Sequence, residues 1–393
     1  MRRANFLPSK LKEIREIRGY TQIALALEIK KSKNSISLYE KGECIPESST
    51  IYELSLALKV PVNYFFTSSI NKIIHISPIF FRRLLSSNKS HRIMAMRRTA
   101  WLAEIFAILN DYLAFPKNKL FALKENKTIN YSADFIENIA LEVRNHFGIG
   151  SNPIGNLINI LEFHGVIFGN FSITNTLDAF SVWLNINSEE RPFILLDQIK
   201  DSPARIRFNC AHELGHLILH RNLKSTILEE KDQLDIIERQ ADHFASAFLL
   251  PKSTFLKSLK TNFGLNDLLS MKKEWGVSVQ AMIMRAYQLN IINENQKSYF
   301  FRKINYLGYT KRDPIDDLLP MENPILIKAG IKKLLEKDIS IVSNISKELP
   351  INLEDIADLT GIELEILKQS NFKSNIENDN VIDLSLMKQL RKV

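Results

Sequence analysis

His212-Glu213-Leu214-Gly215-His216 lies in the apolar run Cys210-Ala211-His-Glu-Leu-Gly-His-Leu217-Ile218-Leu219, and its reading decides the rest of this 393-residue chain. On a helix, residues four apart share a face, so His212 and His216 aim both imidazoles at one point. Glu213 lies one step round and can reach a water held there. Two nitrogen donors, an open coordination position and a carboxylate base are the parts of a zinc hydrolase. So short a pattern also arises by chance, and a third ligand is needed.

Glu238 supplies a candidate. The segment Glu238-Arg239-Gln240-Ala241-Asp242-His243-Phe244-Ala245-Ser246-Ala247-Phe248-Leu249-Leu250-Pro251 reads as a second amphipathic helix. Ala241, Phe244, Ala245, Phe248 and Leu249 form its core face, and Pro251 stops it. Glu238 and Asp242 share another face. Two antiparallel helices bring Glu238 to the ion as an oxygen ligand. Asp242 then accepts the free N–H of one ligand imidazole and fixes its tautomer.

His220 competes for the third position, but spacing argues against it. Two steps of four separate His212 from His220 by about 12 Å along an unbroken helix, whereas zinc–nitrogen bonds are about 2 Å. His220 is expected at the helix C-terminus, as a dipole partner or a substrate contact. His243 reads as a packing or surface residue. His75, His91, His146 and His164 carry no metal spacing. Cys210 points away from His212 on a helix and reads as core. With Cys44 it makes two lone thiols in separate modules, which fits a reducing cytoplasm without disulfides.

Around these motifs the chain resembles the ImmA/IrrE metallopeptidases, over roughly residues 130–255. The resemblance rests on Glu137-Asn-Ile-Ala-Leu-Glu-Val-Arg144, Gly148-Ile-Gly-Ser-Asn-Pro-Ile154 and Leu157 to Gly165. It continues through Asp178-Ala-Phe-Ser-Val-Trp-Leu184, Arg191-Pro-Phe-Ile-Leu-Leu196, Arg205-Ile-Arg-Phe208 and the Glu238–Pro251 segment. It implies a zincin-like fold and a Zn2+ ion on His212, His216 and Glu238, with Glu213 as catalytic base. Asn209 and Cys210 replace a commoner Thr and aliphatic residue. Members of that family cut helix-turn-helix repressors, so the resemblance also implies a protein substrate of that kind.

The N-terminus resembles an XRE-type helix-turn-helix domain from Lys12 to Phe66. Leu11, Ile14 and Ile17 repeat on one helical face. Thr21 is expected to cap the second helix, and Ser32 a third that Lys41-Gly42 closes. The face Leu54, Leu56, Ala57 and Leu58, with Val60, Val62 and Phe65, is expected to complete the core. The resemblance puts Gln22 near phosphate and Lys33, Asn34, Ser37 and Leu38 toward the major groove of double-stranded DNA. Ser35 or Lys41 would hold phosphate. Lys30-Lys31 stands where a glycine and an apolar residue are usual, so Lys30 is expected in a left-handed conformation. Leu38 replaces a residue that is often polar. Dimerisation, as a homodimer, is the alternative role for this module.

Charge agrees with DNA. Lys and Arg outnumber Asp and Glu by 11 to 7 in residues 1–68 and by 11 to 3 in 69–127, while the remainder carries −4. A basic N-terminal third on a slightly acidic body fits a nucleic-acid binder. Arg82-Arg83, Lys89, Arg92 and Arg97-Arg98 form the densest cluster. Their other reading is the solvated face of a helix beginning near His91, which also bears Met94, Trp101, Leu102, Ile105 and Phe106. No apolar run approaches the roughly eighteen residues of a membrane span, and the first residues lack a secretory apolar core.

The expected fold class is α+β, mostly helical. A helix-turn-helix domain (1–68) and a basic connector with a linker after Pro116 (69–130) precede the metallopeptidase domain (131–255). A helix-turn-helix-like extension around Trp275-Gly-Val-Ser278 (256–319) and a helical tail (320–393) follow. A small antiparallel sheet is expected from segments near Gly165–Gly169, Phe180–Leu184 and Pro192–Leu196, with substrate adding to its edge near Phe180–Leu184. The functional expectation is a cytoplasmic DNA-binding regulator whose zinc endopeptidase domain cleaves a partner repressor or itself. The alternatives are a regulator whose zinc domain only senses or docks, and an antitoxin-like protein.

Overall fold

The computed structural model describes residues 5–68, 73–76, 89–123, 130–171, 178–197, 202–223, 231–310, 314–337 and 341–370. Backbone contacts divide the chain into two units. One comprises Met1–Lys72, Met96–Ala114 and Ile327–Val393, the other Ile73–Ala95 and Phe115–Leu326. No helix among the described residues is long and apolar enough to cross a membrane.

The first unit opens with helices Pro8–Ile17, Gln22–Glu28, Lys33–Lys41 and Ser48–Leu58. Thr21 accepts from the Ala24 amide and Ser32 from the Ser35 amide, both at 3.0 Å, so the expected caps form. Gly42 closes the third helix at φ 77°, and Lys30 takes the left-handed conformation at φ 53°. Leu11, Ile14, Ile17, Leu54, Leu58, Val60 and Phe65 are buried. Leu56 and Val62, expected among them, are 61% and 40% exposed. Leu56 stands about 200° round the helix from Leu54 and so faces away. Val62 begins a 3-10 turn, Val62–Phe66, whose inward residues are Tyr64 and Phe65.

The helix Lys89–Asn110 adds Trp101, Leu102, Ile105 and Phe106 to buried positions. Two of its three arginines are paired within the unit. Arg97 pairs with Glu16 at 3.1 Å, and Arg98 pairs with Asp358. Arg82 and Arg83 lie outside the described residues. The tail supplies helices Leu326–Lys337, Ile341–Glu348 and Leu353–Thr360. Arg18 forks onto Asp355 at 2.6 Å through each oxygen, and Asn352 donates to Lys59 O at 2.6 Å. The described residues of 327–370 therefore share a unit with the helix-turn-helix module.

The second unit holds a four-stranded sheet of β1 (Ile73–Ile76), β2 (Ile167–Asn170), β3 (Ala179–Ile186) and β4 (Glu189–Leu196). The order is β1-β3-β4-β2. β3 and β4 form a hairpin turned by Asn187 and Ser188, both at positive φ. The sheet is mixed, not wholly antiparallel as expected, because β2 runs parallel to β4. β2 pairs with β4 and not with its sequence neighbour, so no hairpin sets its direction. β1 lies along β3 at Leu184–Ile186 and occupies that part of the expected substrate edge.

Three buried arginines brace this unit. Arg207 donates to Glu322 (Nε–Oε1 2.6 Å), to the carbonyls of Ile154 and Trp275 at 3.0 Å and to that of Gly155 at 2.8 Å. Glu322 also accepts from the Leu157 amide at 2.7 Å. Arg144 binds the Phe248 carbonyl and Arg285 the Leu250 carbonyl, both at the end of the helix Lys231–Leu249. Those carbonyls have no partner within their helix, and a cation suits that pole. The expected linker is held too: Lys119 N donates to His164 O at 2.9 Å, and Phe115 and Leu120 are buried. Residues 124–129 of that stretch lie outside the described residues. The pair Leu265–Trp275 and Val279–Gln288, turned at Gly276 (φ 62°), buries Val279, Met282, Ile283 and Arg285. Its second helix is a core element.

Replacing Arg207 with Met should destabilise the second unit by about 3–5 kcal/mol, since Glu322 is left buried without its charge partner. Urea unfolding monitored by tryptophan fluorescence checks this. Burial opposes the charge on Glu137, but Arg285 and His243 hold its pKa down to about 2. A folded pKa below the unfolded one stabilises above the ordinary carboxylate range, and that contribution fades as pH falls from about 4.5 toward about 2. Glu137→Gln should flatten this acid limb of thermal stability measured against pH; an unchanged slope excludes Glu137 as its source.

Candidate functional site

The helix Pro203–Leu219 starts at Ser202, whose hydroxyl accepts from the Arg205 amide at 3.2 Å. It carries His212, Glu213 and His216 in buried positions. It meets the helix Lys231–Leu249 at Gly215. A Cβ there would stand 3.3 Å from Ala241 Cα and 3.1 Å from Phe244 Cδ1, so a glycine lets the two backbones approach. The approach carries Glu238 to the imidazoles. Its Oε2 is 3.5 Å from His212 Nε2, and its Oε1 is 3.3 Å from His216 Nε2. The two Nε2 atoms are 3.0 Å apart.

These separations fit a metal. Bonds of about 2 Å arranged tetrahedrally place donor atoms about 3.3 Å apart. His212, His216 and Glu238 form a His/His/Glu group whose ligand atoms all lie within 4.8 Å of one another. Two imidazole nitrogens facing each other need a proton or a metal ion between them. Burial opposes charge on His212, but hydrogen bonds to Asp242 and Glu238, with Glu213 nearby, push it up to about 9. Burial likewise opposes charge on Glu238, yet the two histidines hold it far below the ordinary carboxylate range.

The surrounding residues orient the cluster. Asp242 Oδ1 stands 2.7 Å from His212 Nδ1. Glu213 Oε2 accepts from Ser181 Oγ at 2.7 Å. Ser181 and Trp183 alternate on one face of β3, and Trp183 Nε1 donates to Leu217 O at 3.3 Å, so the sheet lies against this helix. Sequence reasoning missed Ser181; its one signal is a hydroxyl inside the apolar run Phe180–Leu184.

His220 stands at the C-terminal cap of this helix, as expected, and is buried. It follows the last turn, its Nδ1 is 2.9 Å from His216 Nδ1, and its Nε2 is 3.0 Å from Gln240 Oε1. Burial and the neighbouring His216 push its pKa down to about 3. His243 Nε2 contacts Glu137 at 2.8 Å, and Cys210 is fully buried.

Residues 173–287 match the family model of the IrrE N-terminal-like domain, a peptidase family. Residues 9–68 match a helix-turn-helix domain model. The chain thus joins a helix-turn-helix domain to an IrrE-like, metallopeptidase-like domain. The IrrE-like match runs beyond Pro251 and takes in Leu265–Trp275 and nearly all of Val279–Gln288. No curated protein matches the chain.

In the helix-turn-helix domain, Lys33, Asn34 and Lys41 are exposed, while Ser35, Ser37 and Leu38 are half-buried. Gln22, expected at phosphate, donates to Glu40 Oε2 at 2.9 Å, and Arg15 also binds Glu40. Ser35 Oγ lies 2.9 Å from Ser32 Oγ. Lys33, Asn34 and Lys41 thus keep exposed side chains, while Gln22 is tied to Glu40. On the tightest duplex selected from a random-sequence pool, Asn34→Ala should cost about 1–3 kcal/mol and relax preference at one base position. Lys41→Ala should weaken all sequences alike and reduce the salt slope by about one. A fluorescence anisotropy series over salt separates the two.

Proposed function

We propose that this chain is a DNA-binding transcriptional regulator whose second unit is a zinc-dependent endopeptidase, cutting a partner helix-turn-helix repressor or the chain itself. One observation carries the enzymatic half: the His212, His216 and Glu238 donor atoms converge beside a buried Glu213 that Ser181 holds. A site that served only for sensing or docking has no need of a buried, positioned carboxylate.

His212, His216 and Glu238 would hold the ion. When bound, zinc polarises a scissile carbonyl and lowers the pKa of its water. Ser181 occupies Glu213 Oε2 and so leaves Oε1 to take a proton from water and pass it to the leaving amine. Asp242 holds the Nδ1 proton of His212 and turns its Nε2 inward. The remaining length of β3, from Ala179 to Trp183, is where an extended peptide can pair, since β1 covers Leu184–Ile186.

Glu213→Gln should leave zinc content unchanged and abolish cleavage. The wild type and variant are each incubated alone and with a purified helix-turn-helix repressor, metal is measured by mass spectrometry and fragments by gel. Cleavage retained by the variant excludes Glu213 as base, and a zinc-loaded wild type that leaves both the repressor and itself intact overturns the endopeptidase reading.

A further inference from the structure

His216 lacks the carboxylate partner that His212 has in Asp242. Its Nδ1 faces His220 instead, and His220 is 1% exposed. Both ring nitrogens of His220 have a neighbour: His216 Nδ1 at 2.9 Å and Gln240 Oε1 at 3.0 Å. An amide oxygen only accepts, so His220 Nε2 carries its hydrogen. A neutral imidazole then has its lone pair on Nδ1, which must accept. The donor opposite is His216 Nδ1–H. His216 Nε2 is left bare, 3.3 Å from Glu238 Oε1 and 3.0 Å from His212 Nε2.

The reverse polarity fails on chemical grounds. If His220 donated to His216 Nδ1, His216 Nε2 would carry a hydrogen aimed at the point where the donor atoms converge, and it could not coordinate. We infer that His220 and Gln240 form an uncharged hydrogen-bond relay that fixes the tautomer of His216, making His220 a positioning residue for the metal centre and not one of its ligands. This rests on the metal-site reading above. The relay complements the Asp242 arm. Glu213, Glu238 and Asp242 already place three carboxylates around the histidines, and an uncharged arm orients His216 without burying a further charge beside them.

The relay predicts specific protonation sites and a graded response. Long-range proton–nitrogen NMR on the zinc-free full chain, labelled with 15N-histidine, should place hydrogens on His216 Nδ1 and His220 Nε2. Zinc titration against a chelator should show His220→Leu weakened about 10- to 100-fold, the range typical for lost outer partners of a ligand. His220→Asn sets an amide oxygen where Nδ1 stands and should recover most of that loss, which a purely space-filling role would not produce. Hydrogens found on His216 Nε2 or His220 Nδ1, or wild-type affinity in His220→Leu, overturn the relay. If His220→Leu does not fold, the wild-type NMR assignment decides alone. A folded wild type that takes up no zinc is a distinct result: it sinks the metal-site reading and the relay's purpose with it.

Discussion

The close crossing of two helices at Gly215 and Ala241 is the constraint on which the His212/His216/Glu238 cluster depends. His212 and His216 come from one helix and Glu238 from the other, so the donor set exists only while the backbones stay this near. A side chain at position 215 would meet Ala241 Cα and the Phe244 ring. The glycine costs helix propensity, about 1 kcal/mol against alanine, and that cost is offset by the contact it permits. The alanine opposite, and the two stacked phenylalanines Phe244 and Phe248 behind it, continue the same packed seam.

A crossing that tight needs its ends restrained, and buried cations do this. Arg144 and Arg285 both reach carbonyls where the Glu238 helix ends, and Arg207 anchors the first half of the histidine helix to the chain around Ile154, Trp275 and Glu322. Each guanidinium is buried and each is compensated by several acceptors, as a buried charge requires. The sheet adds the last restraint through Ser181 and Trp183. Supporting side chains thus come from elements far apart in sequence.

The first unit follows a different logic. Its helix-turn-helix module is small, and helices from both the middle and the end of the chain share its unit. Trp101 donates to Glu13 at 3.3 Å, and Arg18 reaches Asp355 and the Leu58 carbonyl. Arginines that looked like a nucleic-acid surface, Arg97 and Arg98, are spent on carboxylates within the unit. On the third helix, Lys33, Asn34 and Lys41 stay exposed.

Local patterns in the sequence determined what local physics controls. The four-residue step aligned His212 with His216 and Glu238 with Asp242, the hydroxyl caps at Thr21 and Ser32 placed helix starts, and apolar periodicity marked the Glu238 helix face. Lys30 in the left-handed region was legible from its place in the turn. Tertiary structure alone decided the rest. It set β2 parallel to β4, turned Leu56 and Val62 outward, paired Arg97 and Arg98 with carboxylates, and put Ser181, His220 and Gln240 around the His/His/Glu cluster. None of these has a sequence period, because a hydrogen bond between side chains on different elements depends on how those elements cross, and that is fixed by the packing of the whole core.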